Sequence, residues 1–103
     1  MSQDPTIGRV VHYRLSREDA ESVNKRRSDT EAHLEEHREL ATGVQVHVGF
    51  PVVAGDAQAA IIVGIAVSGN PNLKVLLDGT DVLWVPDAGA GHADGQWSWP
   101  PRI

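Results

Sequence analysis

The 103-residue chain contains no cysteine. That absence removes disulfides, thiolate metal sites and cysteine nucleophiles together, and it fits a reducing intracellular setting. Aromatic side chains are scarce: three tryptophans, one tyrosine and one phenylalanine. The core must therefore be built mainly from Val, Ala, Leu and Ile, with each ring reserved for a fixed position. Basic residues are outnumbered, nine Lys and Arg against fourteen Asp and Glu, for a formal net charge of -5. An acidic surface repels phosphate backbones, so no nucleic-acid partner is expected. The one dense basic run, Lys25-Arg26-Arg27, reads as a solvated helix face or turn. Long apolar runs are missing too. The longest, residues 57–67, is interrupted by Gln58 and Gly64 and is too short to span a bilayer, and MSQDPTIGR has no apolar signal region. The expectation is a soluble chain with no membrane partner.

What is present suits one small domain, since a chain of this length buries roughly 60 to 70% of its unfolded surface. Residues 1–6 read as a flexible tail. IGRVVHYRL, residues 7–15, is β-branched and aromatic and predicts a first strand. Ser16-Arg17-Glu18-Asp19 has the form of a capping box and opens a helical insertion over 16–42. Ser28-Asp29-Thr30-Glu31 repeats that start signal before AHLEEHRELATG, so two short helices or one bent helix fit, with Leu34 and Leu40 as apolar contacts and Gly43 as the stop. Val44, Val46, Val48 and Phe50 then alternate with Gln45, His47 and Gly49 as a half-buried strand ended by Pro51. AAIIVGIAV, residues 59–67, predicts a central strand buried on both faces. SGNPN is a turn, and LKVLLDGTDVLWV, residues 73–85, a hairpin turning at Asp78-Gly79. Residues 87–95 read as a mobile loop, and QWSWP as a short last strand stopped by Pro100. Five or six short strands must nearly close to cover their edges. The expected fold is mainly β, a small SH3-like or OB-like partly open barrel with a helical insertion after strand 1. An α+β sheet with helices on one face is the alternative.

The sharpest chemical motif is His33-Leu34-Glu35-Glu36-His37, which satisfies H-x-x-E-H and places two imidazoles at i and i+4 on one helix. It lacks a convincing third ligand and enough chain to build a cleft around a metal, so His33 and His37 stand only as weak metal candidates. There is no G-x-S-x-G, no phosphate loop and no paired carboxylate that spacing can place. The expectation is a protein that is not an enzyme and needs no cofactor. Asn70, Asn72, Asp78 and Asp81 are the residue types that turns demand. Trp84, in VLWVP, is expected inside the barrel or at its rim. In Trp97-Ser98-Trp99 the two rings share one face of an extended segment, as the last plank of a core or as a platform for a partner.

Taken in order, IGRVVHYRL, NLKVLLDG, LWV and GQWSWPP resemble a family of small, mostly uncharacterised phage and prophage proteins, especially of actinobacteria. The family pattern is a G-x-x-V-H-Y opening, an A-I-x-V strand, N-L-x-V-x-x-D-G and a closing W-H-W-P. The resemblance covers residues 7–15 and 57–101. The chain departs from the pattern at Ser98, where the family has histidine, and in a longer insert over residues 16–50. The resemblance implies phage origin and expression in a bacterial host, and it supplies no activity.

Together these readings lead to a phage-encoded binding protein in the host cytoplasm, sequestering a small host molecule such as a nucleotide signal. His12, Tyr13, Arg14, Asn72, Asp78, Trp84, Trp97 and Trp99 are its candidate ligand-binding residues. An anionic ligand would need Arg9, Arg14, Lys74 or Arg102 to converge. The alternative is a minor virion structural or assembly protein, or a module docking on a host protein, with the helical insertion forming a homo-oligomer surface.

Overall fold

The computed structural model describes residues 4–36 and 51–101, with side chains for 4–29 and 51–101. Its first strand, β1, is Val10–Arg14, followed by a helix α1 at Arg17–Glu36. Five further strands follow: β2 Ala57–Ile65, β3 Pro71–Leu76, β4 Val82–Val85, β5 Gly89–Ala90 and β6 Gln96–Ser98. They form one sheet in the order β4-β3-β2-β1-β6-β5, antiparallel except where β5 runs parallel to β6. The sheet curls into a half-barrel with α1 inserted after β1. The fold is therefore mainly β and partly open, as the pattern of short strands predicts.

Period-two patterning divides the sheet into two faces. Val11 and Tyr13 on β1, Ala60 and Ile62 on β2, Leu73 and Val75 on β3 and Trp97 on β6 point inward and are buried. Their neighbours Val10, Ala59, Lys74 and Leu76 are exposed on the other side. This corrects the reading of residues 59–67. β2 is central, between β1 and β3, but only its inner face is buried, and Val63 and Ile65 remain exposed. A lone helix covers one side of a sheet, so hydrophobicity on the outer side of β2 does not amount to burial.

The capping box forms as expected. Asp19 N–H donates to Ser16 Oγ at 3.0 Å, and Ser16 N–H donates to Asp19 Oδ2 at 3.0 Å. Tyr13 also donates its phenol to Asp19 Oδ2, which ties the helix start to β1. Burial and the Asp19 carboxylate push the Tyr13 phenol well above its ordinary pKa. The helix runs unbroken through Ser28, because extension of a formed helix is favoured over a second nucleation. Ala20, Val23 and Arg27 make its inner stripe.

Two polar clamps seat α1. Asn24 donates to the Val52 carbonyl at 2.7 Å and accepts from Val52 N–H at 3.0 Å. Arg27 meets Asp81 at 3.0 Å and Arg26 meets the same carboxylate at 3.4 Å, with side-chain exposures of 8%, 31% and 1% for Arg27, Arg26 and Asp81. The basic run is therefore no solvated face: two of its three members anchor the helix to the β3–β4 loop. Because Asp81 turns inward to receive them, that loop spans residues 77–81 and is longer than a two-residue turn at Asp78-Gly79.

Residues 87–95, expected as a loop, include β5 and the buried Ala88. β6 enters the sheet between β1 and β5 rather than at an edge. The predicted strand at 44–50, the Gly43 stop and Leu40 lie outside the described residues, as does the side chain of Leu34. No helix among the described residues is long and apolar enough to cross a membrane.

Candidate functional site

Beside the last strand lies a cleft of about 500 Å³, lined by Trp97, Ser98 and Trp99, by Gly69, Asn70 and Pro71, by Ala90, Gly91 and His92, and by Pro5. That volume falls within the range of small-molecule pockets. The residues two apart in W-S-W do share a side: the indoles of Trp97 and Trp99 meet edge to face, with centroids 5.2 Å apart and planes at 88°. Trp97 is 5% exposed and belongs to the core, whereas Trp99 is half-buried against it. The Arg9 guanidinium lies 5.1 Å from the Trp99 ring centroid, a cation–π distance. The Trp97 indole Nε1 is buried without an acceptor. A buried N–H in that condition costs about 1–3 kcal/mol.

Both walls of the cleft are held by hydrogen bonds. On one side Asp87, with φ +54°, accepts from Ser68 Oγ at 2.5 Å and from Asn70 Nδ2 at 3.0 Å. These donors hold the Asp87 carboxyl below its ordinary pKa. Asp87 N–H in turn donates to Asn72 Oδ1 at 2.8 Å. On the other side Gly91 N–H donates to the Trp97 carbonyl at 2.8 Å, Ala93 N–H to Gln96 Oε1 at 3.1 Å, and Gly95 N–H to the Arg14 carbonyl at 2.7 Å. Gly91 has φ +153°, and a Cβ there would stand 2.0 Å from Gln96 Oε1. That backbone conformation favours glycine here, and a side chain would also have to displace the Gln96 amide.

Of the eight candidate ligand residues, the cleft brings together Trp97 and Trp99. Tyr13 is buried in the core and spends its hydroxyl on Asp19. His12 is half-buried on β1, opposite Ser98 on one side and Ala59 on the other. Arg14 is exposed and donates to the Gly55 carbonyl at 3.3 Å. Asn72 braces Asp87, and Asp78 is exposed in the β3–β4 loop, where its carbonyl accepts from Arg27. Trp84 is neither inside the barrel nor at the cleft: it is 61% exposed on the outer face of β4. Its strand alternates, and Leu83 and Val85 take the inward positions. His37 and the side chain of His33 lie outside the described residues. Among the described residues no three metal-binding side chains come together.

Comparison with protein-family models, curated proteins and solved structures finds no significant match.

The cleft also uses Asn70 and His92, whose neighbours in sequence predict only a turn and a loop. SGNPN and GAGHADG carry no local sign that they flank the same strand end. Chemically the site offers the half-buried Trp99 ring set perpendicular to the buried Trp97, a cation beside Trp99, an amide and an imidazole. That set suits orientation of a flat polar group.

Proposed function

We propose that the chain is a phage-encoded, non-enzymatic binding protein, working in the host cytoplasm, whose site is the Trp97–Trp99 cleft. Its ligand is a small planar heteroaromatic molecule, such as the base of a nucleotide signal. The observation that carries this reading is the indole pair lining a cleft whose two walls are already tied down, so that little ordering cost remains on binding. Trp99 supplies a stacking face, and Asn70 and His92 supply polar groups at its margin.

Charge narrows the ligand class. Of the four cations that an anionic ligand would need, Arg9 alone among the described residues stands beside a cleft ring. Lys74 is on the outer face, Arg14 reaches Gly55, and Arg102 is outside the described residues. A base, nucleoside or singly charged nucleotide fits this balance better than a polyphosphate.

The test is a thermal-shift and tryptophan-fluorescence titration with bases, nucleosides, and linear and cyclic nucleotides. Saturation at about 100 times Kd adds roughly 2.7 kcal/mol of stability. The gain should vanish in Trp99→Ala. A flat response across the panel would remove the reading. The alternative role in assembly or docking draws its support from a different surface, the outer face of the sheet.

A further inference from the structure

The outer face of the sheet carries two cross-strand rows. One is Val10, Ile61, Lys74 and Trp84; the other is Ser98, His12, Ala59, Leu76 and Val82. Trp84 is 61% exposed, Val10 52%, Val82 44% and Leu76 42%. Their exposed apolar area is on the order of 400 Å². A standard interface buries about 800 Å² per partner, a little over half of it apolar, so this one face supplies most of the apolar share that a dimer needs.

We infer that this face packs against the same face of a second copy. Three observations select a copy of this chain as the occupant. No carboxylate lies in either row, although the chain has fourteen acidic residues. Glu18, Asp19, Glu21 and Asp29 ride on α1, whose apolar stripe packs into the inner-face core, so face-to-face approach keeps the two acidic helices on the far sides of the pair. Second, the face is uneven in a self-complementary way. The bulky Trp84 stands on the edge strand β4, and the small Ala59 sits two strands away on β2. A two-fold axis through the face seats each indole over the other copy's alanine, at the spacing of about 10 Å usual for stacked sheets.

Third, the edge that β4 leaves unpaired among the described residues is blunted, which directs a partner to the face. The Val82 carbonyl already accepts from both Nη atoms of Arg26 at 3.3 Å, and Pro86, which has no N–H, follows the strand. Lys74 is the one full charge in these rows. It lies next to the two-fold axis, so its stem must lie along apolar surface while its ammonium turns away from its symmetry mate.

The pair uses neither indole of the cleft, so its test is independent of ligand binding. Sedimentation velocity of the full chain, from about 5 µM to about 500 µM, should show a monomer–dimer equilibrium with Kd on the order of tens of micromolar. Trp84→Glu should weaken it at least tenfold with an unchanged far-ultraviolet circular dichroism spectrum. Val10→Glu, in the same row, should do the same and serves as the readout if Trp84→Glu does not fold. Val67→Glu, at a fully exposed position in the loop after β2, should leave association untouched. A wild-type chain that stays monomeric throughout the range overturns the inference. So does a dimer indifferent to the face substitutions, or one equally sensitive to Val67→Glu.

Discussion

Asp81→Asn keeps the shape of a buried side chain and removes its charge. In the folded protein Asp81 receives Arg27 at 3.0 Å and Arg26 at 3.4 Å, and its own side chain is 1% exposed. The substitution removes the carboxylate charge that the Arg27 guanidinium, 8% exposed, meets at 3.0 Å. Loss of one partner from a buried pair costs about 3–5 kcal/mol. Arg26, 31% exposed, can recover hydration, which places the expected cost near the lower end, about 3 kcal/mol. Small domains have only about 5–15 kcal/mol in total, so this is a large fraction. At roughly 4–8 °C per kcal/mol for a domain of this size, the midpoint should fall by about 12 °C or more. Urea unfolding followed by tryptophan fluorescence, with calorimetry beside it, measures both quantities. The double variant Arg27→Met with Asp81→Leu should recover at least about 2 kcal/mol, because a well-packed apolar pair carries no desolvation penalty. A loss below about 1 kcal/mol for Asp81→Asn, or a double variant as unstable as the single, would refute the claim that this carboxylate seats the helix.

Other expectations follow from the same contacts. Tyr13 is the chain's one tyrosine, so phenolate absorbance reports it alone. Its folded pKa is raised, so the stability it contributes is complete below about pH 10 and is lost as pH climbs through the folded value; denaturant midpoints should drop only in that alkaline range. If Tyr13 titrates at the ordinary phenol value in the folded chain, the contact with Asp19 is not formed. Trp97→Ala should cost about 3–5 kcal/mol by opening the core, whereas Trp99→Ala should keep the fold and lose cleft binding, a contrast that chemical denaturation and ligand titration resolve. Ser16→Ala should cost about 0.5–2 kcal/mol through the lost helix cap, read as a shift in urea midpoint at constant slope.

Local pattern made much of this architecture readable. The alternation of Val11 and Tyr13 with Val10 and Arg14, the Ser16–Asp19 box and the spacing of Trp97 and Trp99 each depend on residues a few positions apart, and each forms. What escaped the sequence depends on which elements meet. Nothing near Arg26 and Arg27 reveals that Asp81, more than fifty residues on, will be buried against them. Nothing near Trp84 tells which side of its strand α1 will cover, and the hydrophobicity of residues 59–67 cannot say that only one of two apolar faces is enclosed. The cleft has the same character. Its rings were legible, but Asn70 and His92 become neighbours of those rings only because β6 inserts beside β1 and draws two separate loops to one end.

That insertion bears on how the chain folds during synthesis. Among the described strands of this sheet β1 is made first, yet it lies between β2 and β6, and β6 is made last. Until residue 98 has been translated, β1 presents an open hydrogen-bonding edge, and the core lacks its largest ring, Trp97. The pairing of β1 with β6 closes a loop spanning nearly the whole described sequence, a contact of high order that makes folding slow and leaves the nascent chain open to pairing with its neighbours. Completion of the sheet is thus a late event, and β1 stays open to mispairing through most of synthesis.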